Sequence, residues 1–124
     1  MLKKIAIASA ARDQISKPFD PHIVADVNDA QVKVAKFGEL FDWHSHPDED
    51  EAFLVLEGRI AIDLRDGSVE LGPGEFLNVP KGVEHRPRSL TERPIVLMFE
   101  KASTLNTGDA KSDLTVLDLK RLEA

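Results

Sequence analysis

The chain has 124 residues, enough for one domain with a real core and too few for two. Lysine and arginine number 16 against 22 acidic residues, a net charge of −6 with no basic stripe, which argues against nucleic acid as a partner. No apolar run is long enough to span a bilayer, and the absence of cysteine removes both disulfides and thiol chemistry.

The chain reads as one domain over 1–124, with an arm (1–30), a barrel core (31–100) and a C-terminal loop and helix (101–124). Met1 to Ala11 imitates a secretory leader, but its apolar stretch is short and diluted by serine and alanine. The expectation is an edge strand over Lys3 to Ala8 in a cytoplasmic protein. A Pro-containing loop then runs through Pro21, and Asp26 to Ala30 marks a turn before a strand from Gln31 to Phe37. There Val32 and Val34 alternate with Gln31 and Lys33, as in a half-buried antiparallel strand.

Ala52 to Leu56 reads as an apolar strand, with Glu51 leading it. Ile60, Ile62 and Leu64 then share a face, and Arg65 to Ser68 is a hairpin turn back to Val69–Leu71. Phe76 to Val79 is a short strand, and Ile95 to Phe99 a continuous apolar one. Short strands punctuated by glycine and proline predict an all-β fold, a small antiparallel β-barrel or jelly roll. In the tail, Thr115 with Asp118 three residues on resembles a capping box and predicts a short helix from Val116 to about Leu122.

Two stretches carry the chemistry. In the first, His44 and His46 stand two apart, so that an extended strand presents both imidazoles to one face. Pro47 and the acids Asp48, Glu49 and Asp50 then turn the chain, and Glu51 leads the returning strand inward. In the second, Pro80-Lys81-Gly82 turns the chain ahead of His85; His22, the other histidine, lies in a proline-bounded loop and is the weaker candidate. Two imidazoles and a carboxylate, joined by His85, suit a divalent transition metal ion: iron, manganese, nickel, copper, cobalt or zinc. Structural zinc sites of cysteine are ruled out.

Gly38, His44, His46, Glu51 and Gly58, followed by Gly74, Pro80, Gly82 and His85, stand at the spacing of the two motifs of the cupin superfamily. The chain resembles small single-domain bacterial-type cupins over roughly Gly38 to Ser89, with Ser89 standing where the second motif usually closes on asparagine. The resemblance implies a double-stranded β-helix barrel with His44, His46, Glu51 and His85 as metal ligands, Glu51 doubling as a base. It also implies a small-molecule substrate and a homodimer. Dioxygenase-type and mannose-6-phosphate isomerase-like cupins are both similar to this chain. A metal-dependent dioxygenase leads, a sugar or sugar-phosphate isomerase or epimerase is the alternative, and a non-catalytic ligand-binding or sensing barrel is a third. Lyases relying on a tyrosine base do not fit, because the chain has no tyrosine.

Side chains around these motifs carry their own expectations. Phe53 and Phe76 read as barrel lining, Trp43 as core or rim packing, and Asp48 to Asp50 as a solvated turn. Arg59 reads as a surface salt bridge. Arg86 and Arg88, alternating with His85, point away from the site if His85 points in.

Overall fold

Two antiparallel sheets face each other in the computed structural model, which describes residues 2–124. The larger sheet takes β1 (His22–Val27), β2 (Ala30–Lys36), β8 (Ile95–Lys101), β3 (Glu51–Glu57) and β6 (Phe76–Val79), in that spatial order. The smaller takes β5 (Gly67–Leu71), β4 (Ile60–Leu64) and β7 (His85–Ser89). The fold is the antiparallel jelly roll that the strand spacing predicts.

Register decides which side chains line the barrel. Ala35 pairs Val96, Lys33 pairs Met98 and Gln31 pairs Glu100 across β2 and β8. Val96 and Met98 also pair Val55 and Phe53 across β8 and β3. Side chains directly opposite share a face, so these residues form the inner surface, and Phe53, Val55, Val96, Ile60 and Ile62 pack there between the sheets. The opposite parity, Val34, Leu97 and Ile95, builds a second apolar cluster on the outer face of the larger sheet.

That second cluster corrects the expectation for the N-terminus. Instead of an edge strand over Lys3 to Ala8, the chain forms α1 (Ile7–Gln14). The segment IASAARDQ is rich in good helix formers, and Ala11 and Ile15, four apart, bury against Val34, Ile95 and Leu97. Because α1 covers the outer face, β2 is buried on both sides. Its polar residues are therefore the ones turned inward: Gln31 and Lys33 face the barrel while Val34 lies under the helix. A strand, β1, also forms within the stretch read as arm and loop.

The tail differs as well. Among the described residues no helix forms between Val116 and Leu122, and the one helix of the fold is N-terminal. Thr115 Oγ1 accepts from Ser112 N–H (3.1 Å) and pairs with Thr107 Oγ1 (2.7 Å) instead of capping a helix. Residues 120–122 run extended against the free edge of β1: Ile23 N–H donates to Lys120 O and Leu122 N–H to Ile23 O, both at 2.8 Å. A seven-residue helix must meet a nucleation cost with few bonds, and the strand edge satisfies the same backbone groups directly. Leu122 is buried as expected, whereas Leu117 is 84% exposed.

Candidate metal centre

Residue 44 lies extended beside β7, and His44 exchanges both backbone hydrogen bonds with His85: His44 N–H to His85 O at 3.0 Å, His85 N–H to His44 O at 2.9 Å. Such a pair sends both side chains to one face, and the two imidazole centroids lie 4.3 Å apart. His46 returns to that face two residues on, 5.0 Å from His44. Its carbonyl accepts from Gly82 N–H at 2.9 Å, which ties the two motifs together, and Gly82 holds φ +80°, a region open to glycine. Glu51 opens β3 opposite Val79, with Oε1 3.1 Å from His46 Nε2 and 3.5 Å from His85 Nε2. The structure thus brings His44, His46, Glu51 and His85 together, each offering one ligand atom, all within 4.8 Å of one another and all buried.

The donor chemistry fits a metal ion. His44 Nδ1–H is positioned to donate to Asp42 O (2.8 Å), and His85 Nδ1–H to Val83 O (2.9 Å). Those bonds select the tautomer that leaves each Nε2 with a free lone pair. Both Nε2 atoms are buried without a hydrogen-bond partner, an arrangement that costs free energy unless a Lewis acid or donor completes it. Imidazoles with one carboxylate suit a first-row divalent ion.

Charge is set by burial and by neighbours. Burial, and then the nearby His85, push the His44 imidazole down to about 4. Burial alone would raise Glu51, but its close contacts with Glu100, His46 and His85 outweigh it and hold the carboxylate well below its ordinary range. Glu100 moves the opposite way: burial, with the adjacent Glu51 charge, pushes it well above the ordinary range against the pull of Lys33.

Glu100 and Lys33 are parts of the site that the sequence reading passed over. Lys33 Nζ lies 2.9 Å from Glu100 Oε1 and 3.1 Å from Thr104 O, with both side chains almost fully buried. The signal was present in β8, where Glu100 shares parity with Val96 and Met98. It was masked because both faces of β2 and β8 carry apolar residues.

Between the sheets lies a cavity with about 380 Å³ of empty space, including its mouth. His44, Glu51 and Glu100 line it, and Phe19, Phe37, Phe41, Phe53 and Met98 form much of the remaining wall. Residues 102–115 form a strap across the metal motif. Asp109 N–H donates to Ser45 O (3.0 Å), and the Asp109 carboxylate accepts from Ser45 N–H (2.9 Å) and Oγ (3.2 Å). Ser112 also bonds Asp42.

The remaining candidates fall as follows. Phe53 lines the cavity as expected, but Phe76 does not: it pairs Leu54 on the outer parity and is 57% exposed, while Leu77 and Val79 take the inner positions of β6. Trp43 sits at the rim under the guanidinium groups of Arg65 (3.8 Å) and Arg86 (4.7 Å). Arg86 and Arg88 turn outward onto Asp63 at 3.1 and 2.9 Å, and Arg59 pairs with Glu70 at the surface. In the acidic turn, Asp50 accepts from Lys81 N–H at 2.9 Å. No helix among the described residues is long and apolar enough to cross a membrane.

The family model "Cupin domain" matches residues 30–99. An uncharacterized protein of Bacillus subtilis, YdbB, is 37% identical over 89 residues, 71% of this chain and 79% of that protein. The crystal structure of a cupin-2 domain containing protein from Shewanella frigidimarina superposes with a TM-score of 0.70 at 34% identity, covering 78% of this chain and 92% of that one. Quercetin 2,3-dioxygenase of Bacillus subtilis is 31% identical over 62 residues, half of this chain but only 18% of that enzyme.

Proposed function

The chain belongs to the cupin-domain family, and from that premise and the geometry of its site we propose that it is a metal-dependent enzyme acting on a small organic molecule, with dioxygenase chemistry as the leading reading. One observation carries the proposal: His44 and His85 each commit Nδ1–H to a backbone carbonyl and leave a buried, unpartnered Nε2 beside Glu51. In this reading His44, His46, Glu51 and His85 hold one divalent transition metal ion. When bound, the ion supplies a Lewis acid and, where it is redox-active, a route for electrons to dioxygen.

The chain's own residues do the rest. Asp42 O and Val83 O orient the two imidazoles, and the strap and apolar walls limit water at the site. Glu51 is a carboxylate at neutral pH, so its free oxygen is available to take a proton from a substrate hydroxyl. The likeness to a quercetin dioxygenase over half of this chain supports oxygen chemistry. The isomerase reading has less support, since a sugar phosphate needs a cation in the cavity. Among the described residues no lysine or arginine lines it.

The test is elemental analysis of protein grown without added metal, beside a His44→Ala/His85→Ala double variant. The expected result is near-stoichiometric transition metal in the wild type, absent from the variant, and dioxygen uptake with phenolic substrates. Metal retention and ligand binding without turnover would favour a sensing barrel. A wild type that carries no metal and refuses added metal would end the metalloenzyme reading.

A further inference from the structure

The cavity wall is divided by chemistry, and the division selects a substrate. Groups able to engage oxygen gather together in the lining: His44 and Glu51, with ligand atoms within 4.8 Å of each other, and Glu100 beside Glu51. Glu100 Oε1 is occupied by Lys33, while Glu100 Oε2 is buried and accepts from no donor in the protein. Asn106 also borders the cavity, yet its amide is already used. Nδ2–H donates to Leu114 O at 2.8 Å and Oδ1 accepts from Val116 N–H at 2.9 Å.

Away from those groups the wall offers ring faces, ring edges and a thioether. Phe19 lies 4.7 Å from Phe41 and 5.3 Å from Phe37, and Phe37 meets Phe53 edge-on at 6.3 Å. Met98 continues the same surface. Such walls favour a flat apolar body. The cations that might have served a phosphate are spent elsewhere, Lys33 on Glu100 and Thr104, and Arg86 and Arg88 on Asp63 outside the barrel.

Resting on the metal-enzyme reading above, we infer that the substrate is an uncharged, ring-sized molecule with an apolar body and adjacent oxygens at one end. One oxygen faces the histidine cluster, and a neighbouring hydroxyl meets Glu100. A sugar seated in the same place would bury hydroxyl groups against phenylalanine and methionine. Each hydroxyl left without a partner lowers affinity by roughly tenfold. Met98 and Phe41 are then specificity-determining residues for the body of the substrate, and Glu100 for its oxygen end.

The probes are α-hydroxyacetophenone and D-xylulose, neutral molecules that both carry a primary hydroxyl beside a ketone. The first is otherwise a bare flat ring, and the second is polyhydroxylated. Calorimetric titration into the zinc-loaded full chain is expected to give α-hydroxyacetophenone an affinity at least about a hundredfold tighter, the sum of two or more unpaired hydroxyls. Met98→Gln, close in volume, is expected to weaken α-hydroxyacetophenone about tenfold by setting an amide in the wall, with zinc stoichiometry and xylulose binding not reduced. If that variant does not fold, Phe41→Leu serves, with α-hydroxyacetophenone weakened severalfold at unchanged zinc content.

Equal or tighter binding of xylulose overturns the inference, and so does α-hydroxyacetophenone binding unmoved in a folded wall variant. Failure to retain zinc overturns the metal reading instead. Selectivity for the body is then read on the metal-free chain with benzyl alcohol against xylulose by ligand-observed NMR, where no preference for benzyl alcohol overturns the inference.

Discussion

The ion pair inside the barrel makes an unequal prediction for its two halves. Lys33 Nζ and Glu100 Oε1 are 2.9 Å apart, and the side chains are 1% and 2% exposed. At an effective dielectric of about 20 their attraction is about 6 kcal/mol. Burying the two charges costs several kcal/mol each, so the pair contributes little net stability while either partner alone is expensive. Glu100→Leu strands the ammonium with only Thr104 O and is expected to cost about 3–5 kcal/mol. Lys33→Met costs less, about 1–3 kcal/mol, because Glu100 already sits well above the ordinary carboxylate range and can stay neutral beside Glu51. Lys33→Met/Glu100→Leu together should fall within about 1 kcal/mol of the wild type. Urea unfolding of the chelator-treated chain at pH 7, with equal m-values, gives all four corners of the cycle. Equal losses in the two single variants, or a double variant that loses their sum, would refute the reasoning.

Other predictions concern single features. In metal-free protein His44 titrates near 4 when folded and near 6.5 when unfolded. The unfolded chain therefore takes up the proton first as pH falls. This contribution is complete above about pH 6.5 and declines toward pH 4 by up to about 3 kcal/mol. A His44→Phe variant should lack that part of the slope in denaturation midpoints, and an unchanged slope would show the shift is absent. Gly108→Ala should cost about 1–3 kcal/mol and speed amide exchange across residues 102–115. Gly108 has φ +56°, and a Cβ there would press on the Ser45 carbonyl group, with its carbon 2.9 Å away. Phe76→Ala should change stability by no more than about 1 kcal/mol, against about 3–5 kcal/mol for Phe53→Ala, and equal losses in thermal unfolding would contradict the register of β3 and β6.

The site was more legible than its surroundings for a physical reason. His44, His46, Glu51 and His85 are chemically rare groups at spacings that the strand period and two turns translate directly into position. The jelly roll was legible from short strands and their glycine and proline punctuation. What escaped depended on which face of a strand was covered. Val32 and Val34 read as an inner face only while nothing packs outside, and α1 reverses that, turning Lys33 inward and leaving Glu100 looking like a strand terminus. The same blindness placed Phe76 inside, since FLNV offers an apolar residue at both parities. Thr115 to Leu122 carries a genuine capping pattern, and no local pattern announces that a strand edge far away in the chain will compete for those backbone groups.

That edge has a consequence for self-association. A strand with open N–H and C=O groups is a template for pairing with other molecules, and β1 ends the larger sheet. Residues 120–122 occupy both hydrogen-bonding groups of Ile23, and the side chain of Gln14 on α1 holds Glu123 in place through two 2.8 Å bonds. Removing the last five residues would leave the histidine cluster untouched while unmasking part of the β1 edge. The shortened protein should then gain a concentration-dependent tendency to stack edge to edge, so that the tail acts as the molecule's guard against fibre-like growth.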